Sequence, residues 1–410
     1  MPIALILVDA LAAAYVTPAT LPALYELSEG GMAGPLENIY AYRGIEATLF
    51  SGRYPSEHGV WGEFRPADCT RPEKVFERLG RGMIEIGDLL PSDRLRLNVR
   101  YVVSRLQRGN DLLPTSNLIP ARLLPRFSSS LERAAWDSGS LGAIPTLFDQ
   151  LRASGKTFAT LVYPEVMHDH QLAGMLRART AQRALPDFWY IKFSALDALG
   201  HRFGPDLTQL RPALEALDSQ IAELIEILRS AYAAEPIDIV VLSDHGMSQV
   251  EQAIDVRPIL KRIEQIAAGK LLYFLDSTTI RLWSASPSVR DAAAGMLAEL
   301  PGLRVLGSDD RRALRVPDDN ATGDVLAACD EGLVIFPDFF RKESAPLGMH
   351  GYANVNTAAG MPYVAVGEPM ATLLPRGRLT HADIWAAMSE RLGFGIHAGV
   401  HASEEQLCTS

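Results

Sequence analysis

Cysteine is scarce in this chain of 410 residues: Cys69, Cys329 and Cys408 stand far apart and form no CxxC pair. That spacing excludes a disulfide framework and a cysteine zinc site, and it fits a reducing compartment. Positive charge is also in the minority, with 39 basic against 49 acidic residues and a net charge of −10. Such a balance speaks against a surface made for nucleic-acid backbones, although a local basic pocket remains compatible with it. No apolar run reaches the about 18 residues that a membrane span needs. The opening stretch, Met1 to Asp9, lacks the basic segment of a leader, and an aspartate stops its apolar run. Internal repeats and low-complexity tracts are missing as well. The expectation is a cytoplasmic protein with neither a membrane nor a nucleic acid as partner; oligomeric state has no signature.

What is present is ordinary globular material, 48% apolar and 21% charged, enough for a large core. The most telling stretch is Ile237 to Leu242 followed by Ser243-Asp244-His245-Gly246. A continuous β-branched run predicts a buried strand of a parallel sheet, and open α/β sheets carry their chemistry just past the carboxyl ends of such strands. Ile3 to Val8 with Asp9 repeats the pattern. Thr157 to Tyr163 and Phe188 to Phe193 predict two more core strands, Tyr363 to Val366 a last one, and Pro212 to Ser230 an amphipathic helix. Gly30, Gly31 and Gly34 read as a turn, and 44–50 as a helix stopped by Ser51-Gly52. The proline-punctuated stretch 63–143 reads as a helical, lid-like insertion, and 251–345 as a small α+β insertion. The whole is expected to be one α/β domain, its mostly parallel sheet sandwiched by helices.

Asp9, Asp197 with His201, Asp244 with His245, and His350 all follow apolar strands or glycine-flanked turns. Each has a plain alternative: Asp9 as a helix cap, Asp197 and His201 as a solvated i, i+4 pair, His350 as a turn residue. Taken together, three aspartates and three histidines suit two divalent metals in mixed nitrogen and oxygen coordination. Zinc is the first choice and manganese the second. Arg43, at a helix start, is either a phosphate clamp or a solvated side chain. His58 reads as structural, and His168 and His170 as surface residues.

Five motifs occur in order: Leu7-Val8-Asp9, Ser51 to Gly59 (SGRYPSEHG), Asp197 to Pro205 (DALGHRFGP), Ser243 to Met247 (SDHGM), and Met349 to Tyr352 (MHGY). They resemble the type I phosphodiesterase and nucleotide pyrophosphatase family of the alkaline phosphatase superfamily, over roughly 1–62, 144–250 and 345–395. The resemblance implies an alkaline-phosphatase-like fold and a two-metal hydrolase cleaving a phosphodiester or pyrophosphate bond in a small, nucleotide-like or sugar-nucleotide-like substrate. It implies that Asp197, His201 and His350 hold one metal, and Asp9, Asp244 and His245 the other. The family's Ser or Thr nucleophile falls on Tyr42, a departure that leaves three accounts open. Tyr42 attacks as a phenoxide; or a metal-activated hydroxide attacks, with Tyr42 and Glu46 orienting it; or turnover is lost and the metals only bind. A phosphomonoester or phosphonate hydrolase of the same superfamily is the alternative activity. A sulfatase lacks support because no Cys-x-Pro-x-Arg run is present.

Overall fold

The computed structural model describes residues 1–29, 31–67, 75–106, 117–131, 133–181, 184–367 and 370–395. Among them, six strands form the central sheet, in the order Gly31–Pro35, Tyr363–Gly367, Asp238–Leu242, Ile3–Val8, Phe188–Phe193, Phe158–Leu161. The last four run parallel, while Tyr363–Gly367 is antiparallel to both of its neighbours. The sheet is therefore mixed, with a parallel centre.

Side chains alternate across a strand, so each central strand feeds two cores. Ile3, Leu5, Leu7, Phe188, Tyr190, Val240 and Leu242 pack against Leu49, Phe50, Phe148 and Trp385 of the helices on one face. Ala4, Ile6, Val8, Trp189, Ile191 and Val241 pack against Leu24, Leu176, Leu214, Ile221 and Leu228 on the other. Full burial of side chains of this size contributes about 1.5–3 kcal/mol each, which makes the sheet a rigid base for what stands at its end.

The glycine-rich segment expected to be a turn is instead an edge strand, Gly31–Pro35. Glycine serves a different purpose there: a Cβ on Gly31 would lie 1.9 Å from the Val366 carbonyl oxygen, so its absence lets the two strands approach. The amphipathic helix also begins earlier than its apolar stripe suggested, spanning Leu207–Ala231 with Pro212 inside. Asp206 caps it by accepting from the Thr208 N–H at 2.8 Å.

In the chain between Gly31–Pro35 and Phe158–Leu161, two helices, Val75–Gly87 and Asp93–Leu106, pack together, and Phe64–Pro66 pairs with Phe127–Ser129. Further on, Leu272–Leu275, Thr279–Trp283, Val325–Cys329 and Leu303–Val305 form an antiparallel sheet in that order. Both inner strands, Thr279–Trp283 and Val325–Cys329, are wholly buried, including Arg281, whose guanidinium lies 4.5 Å from the Phe274 ring centre. Cys329 is buried and free, while Cys69 and Cys408 lie outside the described residues. No described helix is long and apolar enough to cross a membrane.

Candidate active site

The chemistry gathers at the carboxyl end of the parallel centre. Asp9 leaves its strand with its N–H still donating to Phe193 O at 3.0 Å. The Leu11 N–H donates to Ser243 Oγ at 2.8 Å, and that hydroxyl donates to His245 O at 2.6 Å, which ties two strand ends together. Asp244 Oδ1 accepts from the His245 N–H at 3.0 Å. Gly246 is needed for close approach: a Cβ there would lie 2.4 Å from Ala359 O. Asp197 sits in the first turn of the helix Ala195–Phe203, with His201 one turn on. His350 follows the short strand Gly348–Met349, which pairs with Ser248–Gln249 directly beyond Met247.

These six side chains converge. One group is Asp197, His245 and His350, and the other Asp9, Asp244 and His245, each with ligand atoms within 4.8 Å of one another. His245 stands between them, its ring stacked on His350 at 3.5 Å. His201 Nε2 lies 3.4 Å and His350 Nε2 3.6 Å from Asp197 Oδ1. The His201 Nδ1–H donates to Gly348 O at 2.9 Å, which leaves a lone pair on Nε2 facing that carboxylate.

Burial and charge act in opposition here. Burial alone would raise the Asp9 pKa, but the Lys192 ammonium and His245 hold it far below the usual carboxylate range. Asp244 moves up, through burial and then the neighbouring Asp9 charge. For His245 burial is outweighed by Asp244 and Asp9, and its pKa is pushed up to about 10. His350 is pushed well down by burial and by His245, and His201 is lowered by burial. Asp197 Oδ1 is buried without any hydrogen-bond partner. An orphaned carboxylate oxygen facing two imidazoles is what a divalent ion would satisfy, so this donor set fits a metal.

The adjoining cavity, about 480 Å³, is lined by the same residues together with Tyr42, Arg43, Glu46, Glu63, Asp276, Ser277, Phe340 and Arg341. Tyr42 is the residue before the helix Arg43–Ser51, and Glu46 lies in that helix's first turn. Tyr42 donates its hydroxyl proton to Thr278 Oγ1, since Thr278 donates its own to Gly351 O at 2.8 Å. Burial and then Asp276 push the Tyr42 phenol well above its ordinary pKa. Tyr190 donates to Glu46 Oε1. Arg43 is half exposed and meets Glu63 at 3.4 Å.

The sequence profile of the type I phosphodiesterase/nucleotide pyrophosphatase family matches residues 3–353. The chain belongs to that family. Among curated relatives, the bis(5′-adenosyl)-triphosphatase of Bos taurus is 24% identical over 203 residues, which is 49% of this chain and 43% of the relative. The chain thus spans less than half the length of that relative. Human ectonucleotide pyrophosphatase/phosphodiesterase 5 has a similar fold, with a TM-score of 0.68 at 15% identity over 96% of this chain and 95% of the other. An inactive threonine-to-alanine variant of the murine counterpart, in complex with AMP, gives 0.65 at 14% identity, with the same coverage.

This member of the phosphodiesterase family places all six residues expected to bind metal around one cavity, with Tyr42, Arg43 and Glu46 on its wall. His58 packs under the helix instead, its Nε2 3.2 Å from Thr48 Oγ1, while His168 and His170 stack on each other at the surface. Sequence reasoning missed Lys192, Asp276, Ser277, Phe340 and Arg341. Lys192 had one visible signal, a lone charge inside the apolar strand Phe188–Phe193. The other four, Asp276, Ser277, Phe340 and Arg341, carry no local pattern.

Proposed function

We propose that the chain is a metal-dependent hydrolase cleaving a phosphodiester or pyrophosphate bond in a small, nucleotide-like molecule. The observation that carries this reading is the unpaired, buried Asp197 Oδ1 facing His201 and His350 beside a cavity with two arginines. A divalent ion held there, zinc first and manganese second, would polarise the phosphoryl group as a Lewis acid. Everything else is the work of the chain. Arg43, itself half exposed, meets the partly buried Glu63 in a contact worth about 0–1 kcal/mol, so it can turn to a phosphate oxygen at little cost. Arg341, which lines the cavity with Phe340 and Ser277, offers a second guanidinium, its Nη1 3.3 Å from Ser277 Oγ. Phe340 gives an apolar face to the organic part of the substrate.

The attacking oxygen in this proposal comes from water. Tyr42 is a hydrogen-bond donor to Thr278 with a raised pKa, so its phenol stays neutral and shapes the wall. Glu46, oriented by the Tyr190 hydroxyl, takes the proton as the new oxygen–phosphorus bond forms and returns it to the leaving oxygen. The cavity of about 480 Å³ is of a size to hold a nucleotide. The relatives' names, a bis(5′-adenosyl)-triphosphatase and an AMP complex, favour the same substrate class. A reducing, cytoplasmic setting stays part of this proposal, on the strength of the scattered cysteines.

Hydrolysis of bis(p-nitrophenyl) phosphate and p-nitrophenyl phosphate, before and after chelation, tests the reading. Faster cleavage of the diester, lost on chelation and regained with zinc or manganese, is expected. The reverse substrate ratio would make the protein a phosphomonoesterase. No turnover on either substrate or on a dinucleoside polyphosphate, despite bound metal, would leave a binding protein.

A further inference from the structure

Lys192 lies where the site has most need of positive charge. The parallel register aligns Leu242, Leu7 and Lys192 side by side across three neighbouring strands. Residues two positions further along a strand project from the same face. For two of these strands those residues are Asp244 and Asp9. A lysine at 192 is therefore one two-residue step short of both carboxylates, a gap that its four-carbon arm spans. Its Nζ lies 3.2 Å from Asp9 Oδ2 and 3.6 Å from Asp244 Oδ2.

The other two oxygens of this pair are also engaged. Asp9 Oδ1 is 3.2 Å from His245 Nε2, and Asp244 Oδ1 accepts from the N–H groups of His245 at 3.0 Å and Ala10 at 3.4 Å. All four carboxylate oxygens thus have partners within the chain. The Asp197 group differs in kind. Its Oδ1 is buried without a hydrogen bond, and it faces His201 Nε2 and His350 Nε2 rather than an ammonium or guanidinium. One group has its cation built in, and the other does not.

We infer that the Lys192 ammonium takes the place of one of the two divalent ions. It neutralises Asp9 and Asp244, with His245 Nε2 held against Asp9, and the chain loads a single ion at Asp197, His201 and His350. Zinc bonds to carboxylate oxygen at about 2.0–2.2 Å, so an ion on Asp9 and Asp244 would sit hard against the fixed charge of Nζ. The consequence is a site with one exchangeable metal and one permanent, single positive charge on the side of Glu46. This assignment rests on the metal-dependent reading above.

The test is zinc content per chain, by inductively coupled plasma mass spectrometry, after loading and removal of excess metal. The unaltered chain should hold about one ion, and Lys192→Met about two, because the Asp9–Asp244–His245 group is then freed. Lys192→Gln serves as a second variant should the methionine form not fold by circular dichroism. Asp197→Asn should reduce the content to near zero, whereas Asp9→Asn should keep about one. Two ions in the unaltered chain would overturn the assignment of Lys192 and leave metal-dependent hydrolysis standing. A single ion in folded Lys192→Met or Lys192→Gln would overturn it too, since the lysine would not be what excludes the second. No ion in the unaltered chain would sink both readings.

Discussion

Tyr42 gives its hydroxyl proton to Thr278, a residue 236 positions away in the chain, and Thr278 gives its own to the Gly351 carbonyl. This relay occupies the phenol at the point where the family resemblance places the nucleophile. With water as the attacking group, Tyr42→Phe should keep kcat within about tenfold of the unaltered protein. Loss of a true nucleophile costs on the order of 10³-fold or more, so the two accounts separate cleanly in steady-state assays. A loss of the larger size, with metal content unchanged, would restore Tyr42 as the attacking group.

Glu46 faces the opposite test. Glu46→Gln keeps an acceptor for the Tyr190 hydroxyl but cannot take a proton. A drop of about 10²–10⁴-fold in kcat with little change in KM is expected. A rate within a fewfold of normal would remove Glu46 from the chemistry.

The two arginines should act on binding. Charge-assisted hydrogen bonds contribute about 1.5–3 kcal/mol, so Arg341→Ala or Arg43→Ala should lower kcat/KM by roughly 10- to 100-fold. Arg43 is half exposed and unconstrained apart from Glu63, whereas Arg341 also touches Ser277 Oγ at 3.3 Å. Arg341→Ala should therefore cost some thermal stability as well, and Arg43→Ala none. Melting curves beside the kinetics check both halves.

Acid should destabilise the fold through His381. This side chain is wholly buried, its Nε2–H donates to Ser243 O at 2.9 Å, and Nδ1 has no partner. Burial pushes its pKa down to about 4 from 6.5. The unfolded chain binds this proton more readily, so the contribution is complete above pH ~6.5 and is lost as pH falls towards ~4, up to about 3 kcal/mol. Denaturant melts across this range should show the slope, and His381→Gln should flatten it. An unchanged slope in the variant would assign the effect elsewhere, with His58, also lowered to about 4, the next residue to replace.

The legible part of this protein is local. Ile3–Val8, Phe188–Phe193 and Asp238–Leu242 declare themselves by continuous apolar runs, and their ends mark Asp9 and Asp244, because strand formation and its termination depend on neighbours a few residues away. His201 follows from helical spacing to Asp197. Five ordered motifs carry the family. None of this needs a distance across the fold.

What the tertiary structure alone decided lies between segments. The Gly31–Pro35 strand exists because Tyr363–Gly367 offers it an edge, more than three hundred residues later. Lys192 is one charged letter in an apolar strand until the register with Leu7 and Leu242 aims it at Asp9 and Asp244. Ser277, Phe340 and Arg341 reach the cavity only because segments far along the chain pack beside the sheet end. Residue types and spacing determine which donors a chain can offer. Which donor finds a metal, an ammonium or another hydroxyl depends on strand register and long-range packing, and these are set by the burial of the whole core.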